Sequence, residues 1–212
     1  MKLLPWLVLS TCLAVALPPL ASADNHKPNA HPTIVKNNKP ATPTLEQLKR
    51  EANRGDIKAQ LKLGAMYANG AGVKVNRAEA IKWYTLAANK GSAVAQLALG
   101  KLYSKNNDNA EDNAIAMQWF EKAAKQNVAE AQYRLAMLIE GGLGIKRDKN
   151  LFLKWMNKAA NNNHAEAQYT LARVYGMGLI DDKVDTALAK KWLIRAAKNG
   201  HPAAKAELNS MK

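Results

Sequence analysis

One interval governs this chain. The pair Ala-Gln stands at Ala59-Gln60, Ala95-Gln96, Ala131-Gln132 and Ala167-Gln168, each time 36 residues from the last. Other residues keep the same register. Leucine follows at Leu63, Leu99, Leu135 and Leu171, and an aromatic at Tyr67, Tyr103 and Tyr175, with Ile139 as the exception. Tryptophan recurs at Trp83, Trp119, Trp155 and Trp192, and Ala-Ala at positions 87–88, 123–124, 159–160 and 196–197. Each unit closes on Gly91, Asn127, Asn163 or Gly200, residue types suited to a left-handed helix C-cap. A period of this length identifies a repeat architecture, in which one supersecondary unit is copied and stacked.

Within a unit the apolar spacing predicts two helices. Ala59, Leu63 and Tyr67 fall at i, i+4 and i+8 on one face of a helix over about 56–69. Ala80, Trp83, Ala87 and Ala88 define the buried face of a second helix over about 77–90, with Asn76-x-x-Glu79 as a capping box at its start. The short Gly70-Ala71-Gly72-Val73 connection makes the pair antiparallel. No such pair buries its apolar stripe alone, so pairs must stack, giving a curved superhelix with one concave wall. Small residues (the alanines, Gly64, Gly100) let backbones approach, and the tryptophan is expected to fill the space between neighbouring pairs.

The sequence thus divides into a signal peptide over 1–23, a disordered linker over 24–43 and an N-terminal capping helix over 44–55. Repeats follow at 56–91, 92–127, 128–163 and 164–200, then a C-terminal capping helix at 201–212. Thr44-x-x-Gln47 supplies a capping box for the first half unit, and Ala204 and Leu208 keep the first-helix register in the last.

These residues resemble the Sel1-like repeat family, a relative of the tetratricopeptide repeats. The family pattern is A-x-A-Q-x-x-L-G-x-x-Y, then G-x-G-V, then A-x-x-W-(Y/F)-x-x-A-A-x-x-G, and Asp56 to Gly91 matches it nearly throughout. The resemblance implies an all-α fold, a right-handed α-solenoid of antiparallel helix pairs, and an adaptor or scaffold role. Exported bacterial members are similar to factors in secretion, envelope signalling and host interaction. A cysteine-rich branch carries paired cysteines in each repeat; this chain has none there. Three departures stand out. The loop Ser104-Lys105-Asn106-Asn107-Asp108-Asn109 lacks glycines, repeat four has one extra residue near Leu179-Ile180-Asp181-Asp182, and Phe152 replaces a residue that is alanine at Ala80, Ala116 and Ala189. Phe152 reads as local repacking.

Met1-Lys2, the apolar run Leu3 to Leu17 and the small-x-small Ala21-Ser22-Ala23 have the layout of a secretory signal peptide cleaved near Ala23-Asp24. The protein is therefore expected in the periplasm or secreted. A rival reading makes Cys12 a lipid anchor after Leu9-Ser10-Thr11. Cys12 is the single cysteine, so the processed chain has neither disulfide nor thiolate chemistry. Pro28, Pro32, Pro40 and Pro43 make 24–43 a tether, and His26 and His31 lack the further ligands a metal needs.

Sequence motifs for catalysis are missing, so neither enzymatic activity nor a cofactor is expected, and a wall-modifying or β-lactam hydrolase stands third, behind the adaptor and the anionic-surface protein. No serine is followed by lysine at the third position, and no glycine-rich phosphate loop occurs. His164 and His201 occupy one repeat position at a helix start, which favours capping over catalysis. The clusters Asp108, Glu111, Asp112 and Asp181, Asp182, Asp185 precede helices, where acidic groups complement the helix dipole.

The formal charge of +14 favours anionic partners. Nucleic acid is disfavoured outside the cytoplasm, which leaves an acidic or amphipathic protein or peptide, with peripheral contact to anionic membrane or cell wall as the alternative. The first helices are expected to line the concave wall of a monomer. Their variable positions assemble a basic surface from Lys62, Lys101, Lys105, Arg134 and Arg173, together with Tyr133, Tyr169, Met137 and Met177. Lysines on the second helices (Lys82, Lys122, Lys158, Lys190, Lys191, Lys198) are expected to serve solubility on the outer face.

Overall fold

The computed structural model describes residues 44–105, 109–179 and 182–211. The chain divides into two units, Met1–Ala41 and Thr42–Lys212, and every described residue belongs to the second. The expected signal peptide and linker, Cys12, His26, His31, Asp108 and Asp181 lie outside the described residues.

The described residues form ten helices and no strand: α1 Leu45–Asn53, α2 Ile57–Asn69, α3 Arg77–Asn89, α4 Ala93–Tyr103, α5 Ala110–Lys125, α6 Ala129–Gly141, α7 Lys149–Asn161, α8 Ala165–Gly176, α9 Thr186–Lys198 and α10 Pro202–Ser210. Each packs on the helix before and after it, as a solenoid of helix pairs requires. Helices α2, α4, α6 and α8 are the first members of the pairs, and α3, α5, α7 and α9 the second.

Helix boundaries follow local chemistry. Asp56, Ser92, His164 and His201 cap the first helices, each accepting the backbone N–H three residues on. Thr44 and Gln47 form the reciprocal capping box at α1. At α3 the box is only half made. Asn76 accepts from the Glu79 amide, while the Glu79 carboxylate takes the Trp83 indole N–H at 3.1 Å. The buried indole needs an acceptor, and its position one turn on puts it within reach. The closing residues Gly91, Asn127, Asn163 and Gly200 all have positive φ (87°, 63°, 63°, 94°), the left-handed C-cap conformation.

The core is built from the repeated small and apolar positions. Leu63, Leu99 and Leu171 are fully buried and Leu135 nearly so. Trp83, Trp155 and Trp192 are buried, but Trp119 is only half-buried. The deepest large group of that pair is its neighbour Phe120, with no exposed surface. Gly64 and Gly100 make this packing possible, since an added Cβ would lie 2.6 Å from the Tyr84 ring and 2.5 Å from the Phe120 ring. Ile139, where the other units have half-buried tyrosine, is almost completely buried.

The recurrent glutamine has its own role. The side-chain amides of Gln60, Gln96, Gln132 and Gln168 donate to the carbonyls of Ala52, Ala88, Ala124 and Ala160, satisfying C-terminal carbonyls of the preceding helix. In the later three, the oxygen then accepts from the C-cap residue of the second helix of its own unit: Gln126 to Gln96 at 2.9 Å, Asn162 to Gln132 at 2.8 Å and Asn199 to Gln168 at 2.8 Å. A buried polar ladder therefore ties each first helix to the second helix before it and, in the later three units, to the second helix of its own pair.

Candidate functional site

The variable positions of the first helices separate into two groups once packing is known. Lys101 and Arg134 are not free cations. Both reach the carboxylate of Glu130, Lys101 Nζ at 3.2 Å and Arg134 Nε at 2.8 Å. His164 Nε2 meets the other oxygen of Glu130 at 2.8 Å. The His164 Nδ1 accepts the Ala167 amide as the α8 cap, so Nε2 carries the proton and donates. The hydrogen bond from His164, opposed by partial burial and aided by Arg134 and Lys101, holds the Glu130 carboxyl far below the usual carboxylate range. The imidazole stacks on Tyr133 with ring centroids 4.7 Å apart. Burial, with the charge of Glu166 next, pushes the Tyr133 phenol up.

The same clamp recurs one unit on. His201 caps α10, bonds Glu166 at 3.0 Å and stacks on Tyr169 at 4.2 Å. Tyr133 and Tyr169 thus spend one face on a histidine at the next unit's start. The Glu–His pairs lie 34 and 35 residues apart with Tyr three residues after each Glu, a spacing readable in the sequence. The earlier junctions lack it, with Lys58 and Val94 at the glutamate position.

The remaining positions stay exposed. Lys62, Lys105 and Arg173 face solvent, Met137 is 40% exposed and Met177 56%. Two grooves collect some of them. Tyr169, Arg173 and Met177 line an open groove of about 630 Å³ between α8, α9 and α10. Arg134 and Met137 line a smaller one of about 410 Å³ at the ends of α4 and α6. Lys62, Lys101 and Lys105 line neither.

The second-helix cations do more than solvate. Lys82, Lys122, Lys158 and Arg195 lie over the rings of Trp83, Trp119, Trp155 and Trp192 at 5.1, 4.1, 4.7 and 4.7 Å. An aromatic face at the helix surface attracts a cation one position or three away, and the aliphatic stem covers apolar area. Glu111 and Asp112 occupy the first turn of α5, and Asp112 also pairs with Arg77 at 3.2 Å. Asp185 caps α9.

The Sel1 repeat model matches residues 57–92, 93–128, 129–164 and 165–201. Two solved structures are similar along most of the chain. One is a protective antigen present in uropathogenic Escherichia coli strains displaying an SLR fold, 32% identical, with a TM-score of 0.71 over 79% of this chain and 36% of that one. The other is a Sel1 repeat protein from Oxalobacter formigenes, 30% identical, with a TM-score of 0.65 over 75% of this chain and 63% of that one. The matched region is thus about a third of the first protein and under two thirds of the second. No curated protein matches the sequence.

Proposed function

Since the chain belongs to the Sel1 repeat family, whose members are in general protein–protein interaction scaffolds rather than enzymes, we propose that it is an exported scaffold that holds a protein partner against its first helices. One observation carries this reading. The repeated positions of α2, α4, α6 and α8 are consumed by packing, the glutamine ladder and capping, while Lys62, Met137 and Arg173 on the same helices, and Met177 at the C-cap of α8, remain exposed. Exposed methionine beside cations suits adaptable binding of an amphipathic or acidic partner. Export rests on the leader-like residues 1–23 and is in keeping with the antigenic relative. An envelope, secretion or host-contact role follows from that location.

The test compares capture by purified full chain with capture by two multiple variants, using native envelope extract and then the reconstituted partner. Lys62→Glu, Met137→Glu, Arg173→Glu and Met177→Glu together should abolish capture with helicity retained. Charge reversal at the outer Lys154, Lys191 and Lys198 should leave it intact. The reverse result, with binding that collapses as salt rises, would assign the chain to anionic surfaces instead.

A further inference from the structure

The groove between α8, α9 and α10 differs from the one beside α6, and the differences specify an occupant. Its floor is open because small residues meet there: the Cβ that Gly176 lacks would stand only 3.5 Å from the Cβ of Ala189. In the preceding unit the position of Ala189 is taken by Phe152, whose bulky side chain is 94% buried. The last unit keeps alanine and leaves about 630 Å³, within the range of roughly 300–1,000 Å³ that ligand sites occupy. The walls are apolar and adaptable. Met177 and Met211, both more than half exposed, line the groove with Leu193 and Ala172.

Charge decides what fits. Arg173 and Lys190 line the groove on α8 and α9, and among the described residues neither forms a salt bridge. The smaller groove beside α6 is different, since its Arg134 is paired with Glu130 and its Arg147 with Glu140 at 3.3 Å. The single carboxylate of the larger groove, Glu207, belongs to α10. Two cations without a salt bridge thus flank an apolar floor along the α8–α9 side.

We propose that this groove docks a partner segment in which apolar side chains alternate with carboxylates, its leucine- or methionine-sized groups seated over Ala189 and its acidic groups meeting Arg173 and Lys190. This deepens the scaffold reading and rests on it. The sequence encodes the site by omission: alanine where the third unit has phenylalanine, and no carboxylate in a salt bridge with Arg173 or Lys190 among the described residues.

The probe is a fluorescein-labelled peptide alternating leucine and aspartate, titrated against the full chain by fluorescence anisotropy. Control peptides carry lysine for aspartate, or serine for leucine. The leucine–aspartate peptide should bind, and both controls should bind at least about tenfold more weakly. Ala189→Phe, which copies the third unit's own solution, should weaken binding by a similar factor with the melting temperature unchanged. Should that variant fail to fold, Arg173→Glu with Lys190→Glu on the surface reads the same site. Binding that both variants leave unchanged, equal binding of the serine peptide, or no binding to the native chain overturns the proposal. If Ala189→Phe leaves partner capture intact while the four-residue first-helix variant abolishes it, the groove is wrong and the scaffold stands. If the four-residue variant also retains capture, the scaffold face itself is wrong.

Discussion

Gln60 and Lys90 are mismatched members of an otherwise regular ladder. At the later junctions the buried glutamine oxygen accepts from Gln126, Asn162 or Asn199. At the first, the aligned residue is Lys90, whose ammonium turns to the carbonyl of Gly55 at 2.6 Å and leaves Gln60 Oε1 buried without a partner. A buried acceptor left unpaired costs about 1–3 kcal/mol.

Lys90→Gln should therefore stabilise the protein. Gln126 shows that one amide at this position reaches both acceptors, donating to Gly91 O at 3.0 Å and Gln96 Oε1 at 2.9 Å. A gain of about 1 kcal/mol is expected from urea denaturation, since one buried acceptor is satisfied and the bond to Gly55 is kept in kind. An unchanged or lower midpoint would show that Gln60 is already satisfied by solvent.

Gly100→Ala should destabilise by about 1–3 kcal/mol, because the methyl would meet the fully buried Phe120 ring and nothing flexible can yield. The third and fourth units pair Ala136 and Ala172 with the non-aromatic Met156 and Leu193 at the aligned positions. Adding Phe120→Leu to Gly100→Ala should accordingly recover part of the loss. A double-mutant cycle read by thermal unfolding checks this, and simple additivity would rule out the contact as the cause.

Acid should weaken the junction between the third and fourth units. The Glu130 carboxyl titrates below its ordinary value of 4.5, so its contribution to stability is full above that pH and is lost as pH falls through the folded-state value. Glu130→Gln should be clearly less stable than the native chain at neutral pH, and the gap should narrow progressively below 4.5. The groups facing it are His164, Lys101 and Arg134. Denaturation of both proteins across pH 3–7 measures the gap, and a constant difference would mean the carboxylate charge is not what stabilises the junction.

The tryptophans should not be equivalent. Trp155→Ala removes a side chain 7% exposed and should cost roughly 3–5 kcal/mol. Trp119→Ala should cost visibly less, because Phe120 holds the core there and Trp119 is half-buried. Comparison of denaturation midpoints at equal m-values decides it.

Much of the fold was legible because it depends on residues that repeat. Leucine, alanine and tryptophan at fixed offsets declare which faces are apolar. Glycine or asparagine at the unit end declares a left-handed cap, since few other residues adopt positive φ cheaply. The cap at Thr44 was equally readable, because its partner lies three residues away. The Asn76 box read correctly only in part: Glu79 had a competing indole one turn on, and that competition is settled by side-chain geometry.

The candidate site was less legible for the same reason. Lys62 and Arg173 read as exposed cations and are exposed. Lys101 and Arg134 read alike and are not free, because a carboxylate on α6 binds both. The lysines beside tryptophan read as solvated and lie over the rings.

By itself the sequence determined the period, the two helices of each unit, their buried faces and the way each helix ends. These are short-range matters, fixed by side-chain spacing along one helix and by backbone preference at its ends. Only the tertiary structure decided which charges are compensated, which glutamine lacks its donor and where a groove stays open. Those depend largely on residues distant in the sequence meeting between helices. A single substitution within a unit, phenylalanine for alanine at Phe152 or lysine for an amide at Lys90, reverses the outcome without disturbing the repeat.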